Sequence, residues 1–128
     1  MSVIETFSGG QLTARLLRSP LSPVNESIVL GKRERLPSFL DKTTPTINGE
    51  TAEALAKKIK AKGNSSIGLA LLGTLKATEK GYEVDAQVVA SGEDIHRSYE
   101  WKMGGDLSTL QGRGATIALN TLRLALIS

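Results

Sequence analysis

The chain has 128 residues, 40% of them hydrophobic and 23% charged, enough to bury one core and too few for two domains. It has no cysteine and a single histidine, His96, which excludes disulfides, thiolate–metal sites and cysteine nucleophiles and leaves no zinc ligand set; no metal and no cofactor are expected. The net charge of +3 is mild, and no apolar run approaches the roughly 18 residues needed to span a bilayer, so no membrane partner is expected.

Met1-Ser2-Val3-Ile4-Glu5 has neither the basic start nor the apolar stretch of a signal peptide, which predicts a cytoplasmic protein. The clustered lysines Lys57, Lys58, Lys60 and Lys62 read as one solvated helix face. With only Phe7, Phe39, Tyr82, Tyr99 and Trp101 as aromatics, nucleic-acid binding is not expected.

In chain order, residues 3–7 predict a short strand that ends at Ser8-Gly9-Gly10. Gln11-Leu12-Thr13-Ala14-Arg15-Leu16-Leu17 then predicts a helix, with Leu12 and Leu16 on one face and Thr6 or Ser8 as N-cap. Pro20 and Pro23 stop it. Residues 26–30 suggest a strand through Ile28 and Val29, and residues 31–42, interrupted by Pro37, a loop with a helical turn.

The clearest helix spans residues 49–62. Ala52, Leu55, Ala56 and Ile59 fall at i, i+3, i+4 and i+7, with Asn48 as N-cap and Gly63 at the C-cap. The apolar run Ile67-Gly68-Leu69-Ala70-Leu71-Leu72 predicts a strand buried on both faces. A loop is expected over residues 74–81. A hairpin follows: Tyr82, Val84, Ala86, Val88 and Ala90 alternate with polar residues, Ser91-Gly92-Glu93-Asp94 turns, and Ile95, Arg97, Tyr99, Trp101 and Met103 alternate again. Asp106 caps a final helix to about residue 126, with Leu107, Leu110, Gly114, Ile117 and Ala118 on one face. This order, β-α-β-α-β-β-β-α, predicts an α/β domain over residues 1–128 with a mixed sheet of about five strands.

Three stretches together resemble the CinA C-terminal family. Glu5-Thr6-Phe7-Ser8-Gly9-Gly10 with Leu16 is similar to its E-S-x-T-G-G-x-x-x-x-x-L strand-to-helix junction. Glu50-Thr51-Ala52-Glu53-Ala54-Leu55-Ala56, leading to the strand that ends in Leu72-Gly73, is similar to its amphipathic helix and buried strand ending in T-G. Gly105-Asp106 before a long helix is similar to its G-D-R-x-x-x-R helix start. The resemblance implies a three-layer α/β/α sandwich. It also implies hydrolysis of the carboxamide of nicotinamide mononucleotide to the nicotinate nucleotide and ammonia, a step of NAD recycling. Relatives carry a helix before the first strand, so the chain is expected to be N-terminally trimmed and, with the apolar surface this leaves, a homodimer.

Amide hydrolysis needs a nucleophile, a base to activate it and donors for the oxyanion. By the resemblance, the family's serine nucleophile falls on Thr6, and Ser8, Gly9 and Gly10 match T-G-G, where a glycine pair opening a helix would present amides to a phosphate. The bland reading of that segment is a helix cap and a tight turn. The tyrosine and lysine positions fall on Gly31 and Leu36. Lys32 is the one candidate activator, because an arginine stays protonated, and its bland reading is a solvated loop lysine. The T-G turn becomes Leu72-Gly73, with Gly73 kept. Leu107 and Gln111 take the two arginine positions of the last helix, which leaves Arg113 as substitute nucleotide contact, about 200° around the helix from Gln111. The expectation is a CinA-like domain with a degenerate amidase site, Thr6 and Lys32 as catalytic candidates and Ser8, Gly9, Gly10, Gly73 and Arg113 as substrate contacts. The alternative is a non-catalytic nucleotide-binding or protein-interaction domain.

Overall fold

The computed structural model describes residues 1–18, 22–30 and 49–127. Its elements run β1 (Ser2–Glu5), α1 (Gln11–Leu16), β2 (Glu26–Val29), α2 (Gly49–Lys62), β3 (Ile67–Thr78), β4 (Gly81–Gly92), β5 (His96–Gly105) and α3 (Leu107–Ile127). The strands form one mixed five-stranded sheet in the order β2-β1-β3-β4-β5. β1 lies parallel to both β2 and β3, while β3, β4 and β5 form an antiparallel meander.

The layering follows from chirality. The crossover from β1 to β2 moves one way along the sheet and that from β2 to β3 moves back the other way, so two right-handed crossovers put their helices on opposite faces. On one face α1 and α3 cover Val3, Leu69, Leu71, Val84, Ala86 and Val88, with Leu12, Leu110, Ala115 and Ala118 packed on them. On the other, Ala52, Leu55, Ala56 and Ile59 of α2 cover Ile4, Ala70, Leu72 and Val89. The expected three-layer α/β/α arrangement is therefore present, and β3 is buried on both faces where its apolar run predicted. Burying a side chain such as Leu55 or Ile59, 1% and 2% exposed, contributes about 1.5–3 kcal/mol.

The ends of the elements differ from expectation in instructive ways. Helix α2 closes in a Schellman motif: Ser65 N–H donates to the Lys60 carbonyl at 2.9 Å and Asn64 N–H to that of Ala61 at 3.2 Å. The left-handed residue is Asn64, with φ 48°, one position beyond the glycine expected to close the helix. Residues 74–78, expected as loop, continue β3, and Thr78 faces Gly81 across a two-residue turn made by Glu79 and Lys80. Neither Thr6 nor Ser8 caps α1; Gly10 holds the N-cap position with no side-chain bond. The expected loop over residues 31–42 and the Asn48 cap lie outside the described residues. Of the α2 lysines, Lys57 pairs with Glu53 at 3.5 Å and Lys62 with Glu26 at 2.6 Å, as befits a solvated face.

Asp106 does cap α3. Its carboxylate accepts from Thr109 N–H at 2.8 Å and from Thr109 Oγ1 at 3.0 Å. The backbone bond first, and the hydroxyl second, hold its pKa below the usual carboxylate value. A group whose pKa falls on folding stabilises the fold above its unfolded pKa, about 3.9, and loses that contribution as pH falls through its folded value. Asp106→Ala is therefore expected to lower the urea midpoint at pH 7, and the gap from wild type should shrink below about pH 4. An equal gap at pH 7 and pH 3 would show that the charge is not what stabilises the cap.

Candidate functional site

Strand order reverses at β1, which has α1 on one side and α2 on the other. In open α/β sheets a crevice opens at such a switch point, outside the carboxyl ends of the strands. Here that place is the junction of residues 5–10, which leaves the sheet beside β3 just where β3 runs on alone with β4.

Glu5 organises the junction. It ends β1 pointing toward α1 and is wholly buried. One carboxylate oxygen accepts from the Ser8 hydroxyl and from Leu12 N–H at 3.2 Å. The other accepts from Thr13 N–H at 2.7 Å and Thr13 Oγ1 at 2.5 Å. The two backbone donors are the second and third amides of α1, so Glu5 does from the strand what a neighbouring N-cap side chain would do. Negative charge there is also favoured by the helix dipole. These amides are consequently occupied by a side chain of the chain itself.

Thr6 follows, half-buried. Its backbone N–H donates to the Leu71 carbonyl at 3.1 Å, and its hydroxyl oxygen accepts from Gly73 N–H at 3.2 Å. With one lone pair so used, the hydroxyl keeps its proton free to donate. Among the described residues no lysine, tyrosine, histidine or carboxylate bonds to it. Phe7 turns inward and is 6% exposed. A methyl group on Gly73 would stand 2.5 Å from its ring, and one on Gly114 of α3 would stand 2.6 Å away. The two glycines thus form the slot that seats the ring between β3 and α3.

Gly9 and Gly10 then take φ of 65° and 87°, left-handed values that a residue with a Cβ adopts only at a cost. Gln111 closes the junction: its Nε2 donates to the Phe7 carbonyl at 3.1 Å and lies against Gly9. Arg15 ties α1 to α3 by bonds to Thr116 Oγ1 at 2.8 Å and the Gly112 carbonyl at 3.3 Å.

The sequence candidates divide accordingly. Thr6, Ser8, Gly9, Gly10 and Gly73 come together at the end of β1. Arg113 is exposed on α3, while Gln111, two residues before it, faces the junction. Lys32 lies outside the described residues. Sequence reasoning missed the parts of Glu5, Phe7 and Gln111. Glu5 carried a signal, because a carboxylate completing the apolar strand Val3-Ile4 must find buried donors. A separate cleft of about 520 Å³, lined by Thr74, Lys76, Glu83, Asp85, Lys102 and Gly104, opens on the sheet face that bears α2. Its charges alternate in sign across the strands, and it takes in none of the junction residues.

No protein-family model matches the sequence, and no curated protein matches it. Solved structures do match. A competence or damage-inducible protein from Enterobacter asburiae superposes with a TM-score of 0.79 at 16% identity, covering 98% of this chain and 86% of the other. The competence damage-inducible protein A (ComA) from Klebsiella pneumoniae gives 0.79 at 16% identity, over 98% of this chain and 85% of the other. A competence-damaged protein (CinA) superfamily protein from Escherichia coli gives 0.76 at 16% identity, over 98% and 78%. The chain has the fold of the CinA superfamily structures, as its three sequence stretches implied. No helix among the described residues is long and apolar enough to cross a membrane.

Proposed function

We propose that the chain, as one CinA-like domain over residues 1–128, binds a nucleotide of the nicotinamide mononucleotide class at the end of β1 without hydrolysing it. The observation that carries this reading is the state of Thr6: its hydroxyl is held by Gly73 N–H at 3.2 Å, and no base among the described residues bonds to it. With no base among the described residues to take its proton, the hydroxyl is a weak nucleophile unless a residue outside them, such as Lys32, activates it. Loss of a general base costs about 10²–10⁴ in rate. Gln111 in place of an arginine removes a fixed positive charge from the same crevice. The Thr6 hydroxyl proton and the amides of Gly9 and Gly10 remain as donors to a ligand, since the α1 amides of Leu12 and Thr13 serve Glu5. A cytoplasmic location and a homodimeric state complete the proposal.

The second reading, a working amidohydrolase with Thr6 as nucleophile and Lys32 as its activator, makes the opposite prediction. Purified protein incubated with nicotinamide mononucleotide is expected to release no ammonia above background, while calorimetry shows saturable binding. Ammonia release abolished by Thr6→Ala and by Lys32→Ala would establish the amidohydrolase instead. Absence of any binding heat would leave the fold with a role in protein interaction.

A further inference from the structure

We propose that two copies of this chain pair antiparallel through β5, extending the sheet across a two-fold axis at Trp101. The inference deepens the homodimer reading and is independent of what the crevice at Thr6 binds.

Among the described residues β5 is hydrogen-bonded on one side only, to β4, and ends the sheet. The opposite edge of the sheet, β2, has 4 residues, whereas β5 has 10. Its pairing with β4 runs unbroken from His96 to Gly105, with no bulge and no proline. Natural edge strands are usually short, bulged or interrupted, because a long regular edge presents a row of free amides and carbonyls to another strand. This edge is neither short, bulged nor interrupted by proline. The one protective device it carries is charge, in Arg97, Glu100 and Lys102, which admits only a partner strand of matching charge.

Those charges select a partner and a register. A two-fold axis perpendicular to the sheet brings free edge to free edge, runs the strands antiparallel and keeps each face continuous. Centred on Trp101, it sets Glu100 against Lys102 of the second copy and Lys102 against Glu100 of the second copy. Both residues are exposed, and neither is in an ion pair among the described residues. Moving the centre one residue toward the N-terminus opposes the two Glu100 side chains; moving it one residue the other way opposes the two Lys102 side chains. Like charges directly opposite one another are destabilising.

The other face agrees. Tyr99, Trp101 and Met103 align with Val88, Ala86 and Val84 of β4 on the side covered by α3. Tyr99 is 49% exposed and meets Trp101 edge-on at 5.7 Å. In the same register Tyr99 packs opposite Met103 of the second copy and Trp101 opposite its own copy, which makes one apolar band across both chains. Backbone pairing supplies attraction, and the alternate side chains supply specificity.

Sedimentation of the full chain over about 1–100 µM tests this. Wild type is expected to dimerise. Glu100→Lys, which places Lys against Lys twice, is expected to raise the dimer Kd at least about tenfold. Adding Lys102→Glu reverses both members of each pair and should restore dimerisation, with melting curves confirming that each variant is folded. A wild type that stays monomeric at 100 µM would overturn both the homodimer and this interface. A dimer whose Kd is unmoved by Glu100→Lys, or not restored by the double exchange, would overturn the interface while leaving the homodimer standing.

Discussion

Glu5→Ala is expected to cost about 3–5 kcal/mol of stability, read as a lower urea midpoint at pH 7. The carboxylate is fully buried and accepts from two amides and two hydroxyls. Truncation leaves all four donors facing an apolar space, and each buried unsatisfied donor costs about 1–3 kcal/mol before relaxation and entering water recover part of it. Glu5→Gln tests the chemistry separately from the volume. Its amide nitrogen must face donors in place of an oxygen, so it is expected to lose about 2 kcal/mol or more despite an almost identical shape. Glu83→Ala, on the exposed part of β4, should stay within about 0.5 kcal/mol of wild type. If Glu5→Gln is as stable as wild type, Glu5 acts by filling space and its hydrogen bonds are not what holds the junction.

Gly114→Ala is expected to change sign with its neighbour. In wild type the added methyl would lie 2.6 Å from the Phe7 ring, within a core already bounded by β3. Overpacking of this kind costs about 1–3 kcal/mol. In a Phe7→Ala background, itself about 3–5 kcal/mol less stable, the obstacle is gone. There the same change should stabilise by up to about 1 kcal/mol, since alanine is the better residue inside a helix. A double-mutant cycle in urea measures both, and a coupling near zero would show that Phe7 and Gly114 do not share the slot. The cycle also bears on the site, because the carbonyl of Phe7 is the one Gln111 holds and its neighbour Thr6 presents the candidate hydroxyl.

Periodicity made most of the fold legible. The stripe Ala52, Leu55, Ala56 and Ile59 became the buried face of α2, and the alternation through the hairpin grouped Tyr99, Trp101 and Met103 on one face of β5. There the structure packs Trp101 and Met103 against the core under α3 and leaves Tyr99 49% exposed. Both patterns report a face that must leave water, which one strand or helix reveals by itself. The extent of β3 did not appear this way. Apart from Leu75, residues 74–78 are polar or small, and they are strand because β4 returns alongside them to satisfy their backbone groups. Asn64 in place of Gly63 as the left-handed residue shows the same limit at one position. Asparagine tolerates that conformation, and the Schellman bonds decide which residue adopts it.

At the junction the division is sharper. Residue types alone placed a hydroxyl and a glycine pair after the first strand, and their resemblance to the CinA C-terminal motif implied the fold that the solved structures share. Sequence also determined the absence of cysteine chemistry and the mild charge. Tertiary structure decided what each junction residue is engaged in. Glu5 is committed to the α1 amides, Phe7 to a slot between glycines that lie 41 positions apart in the chain (114 − 73), and Gln111 rather than Arg113 faces Thr6's loop. The physical reason is range. Propensity and periodicity act over one or two turns or strand repeats, whereas a buried donor finds its acceptor, and a ring its space, only when elements distant in the chain have packed.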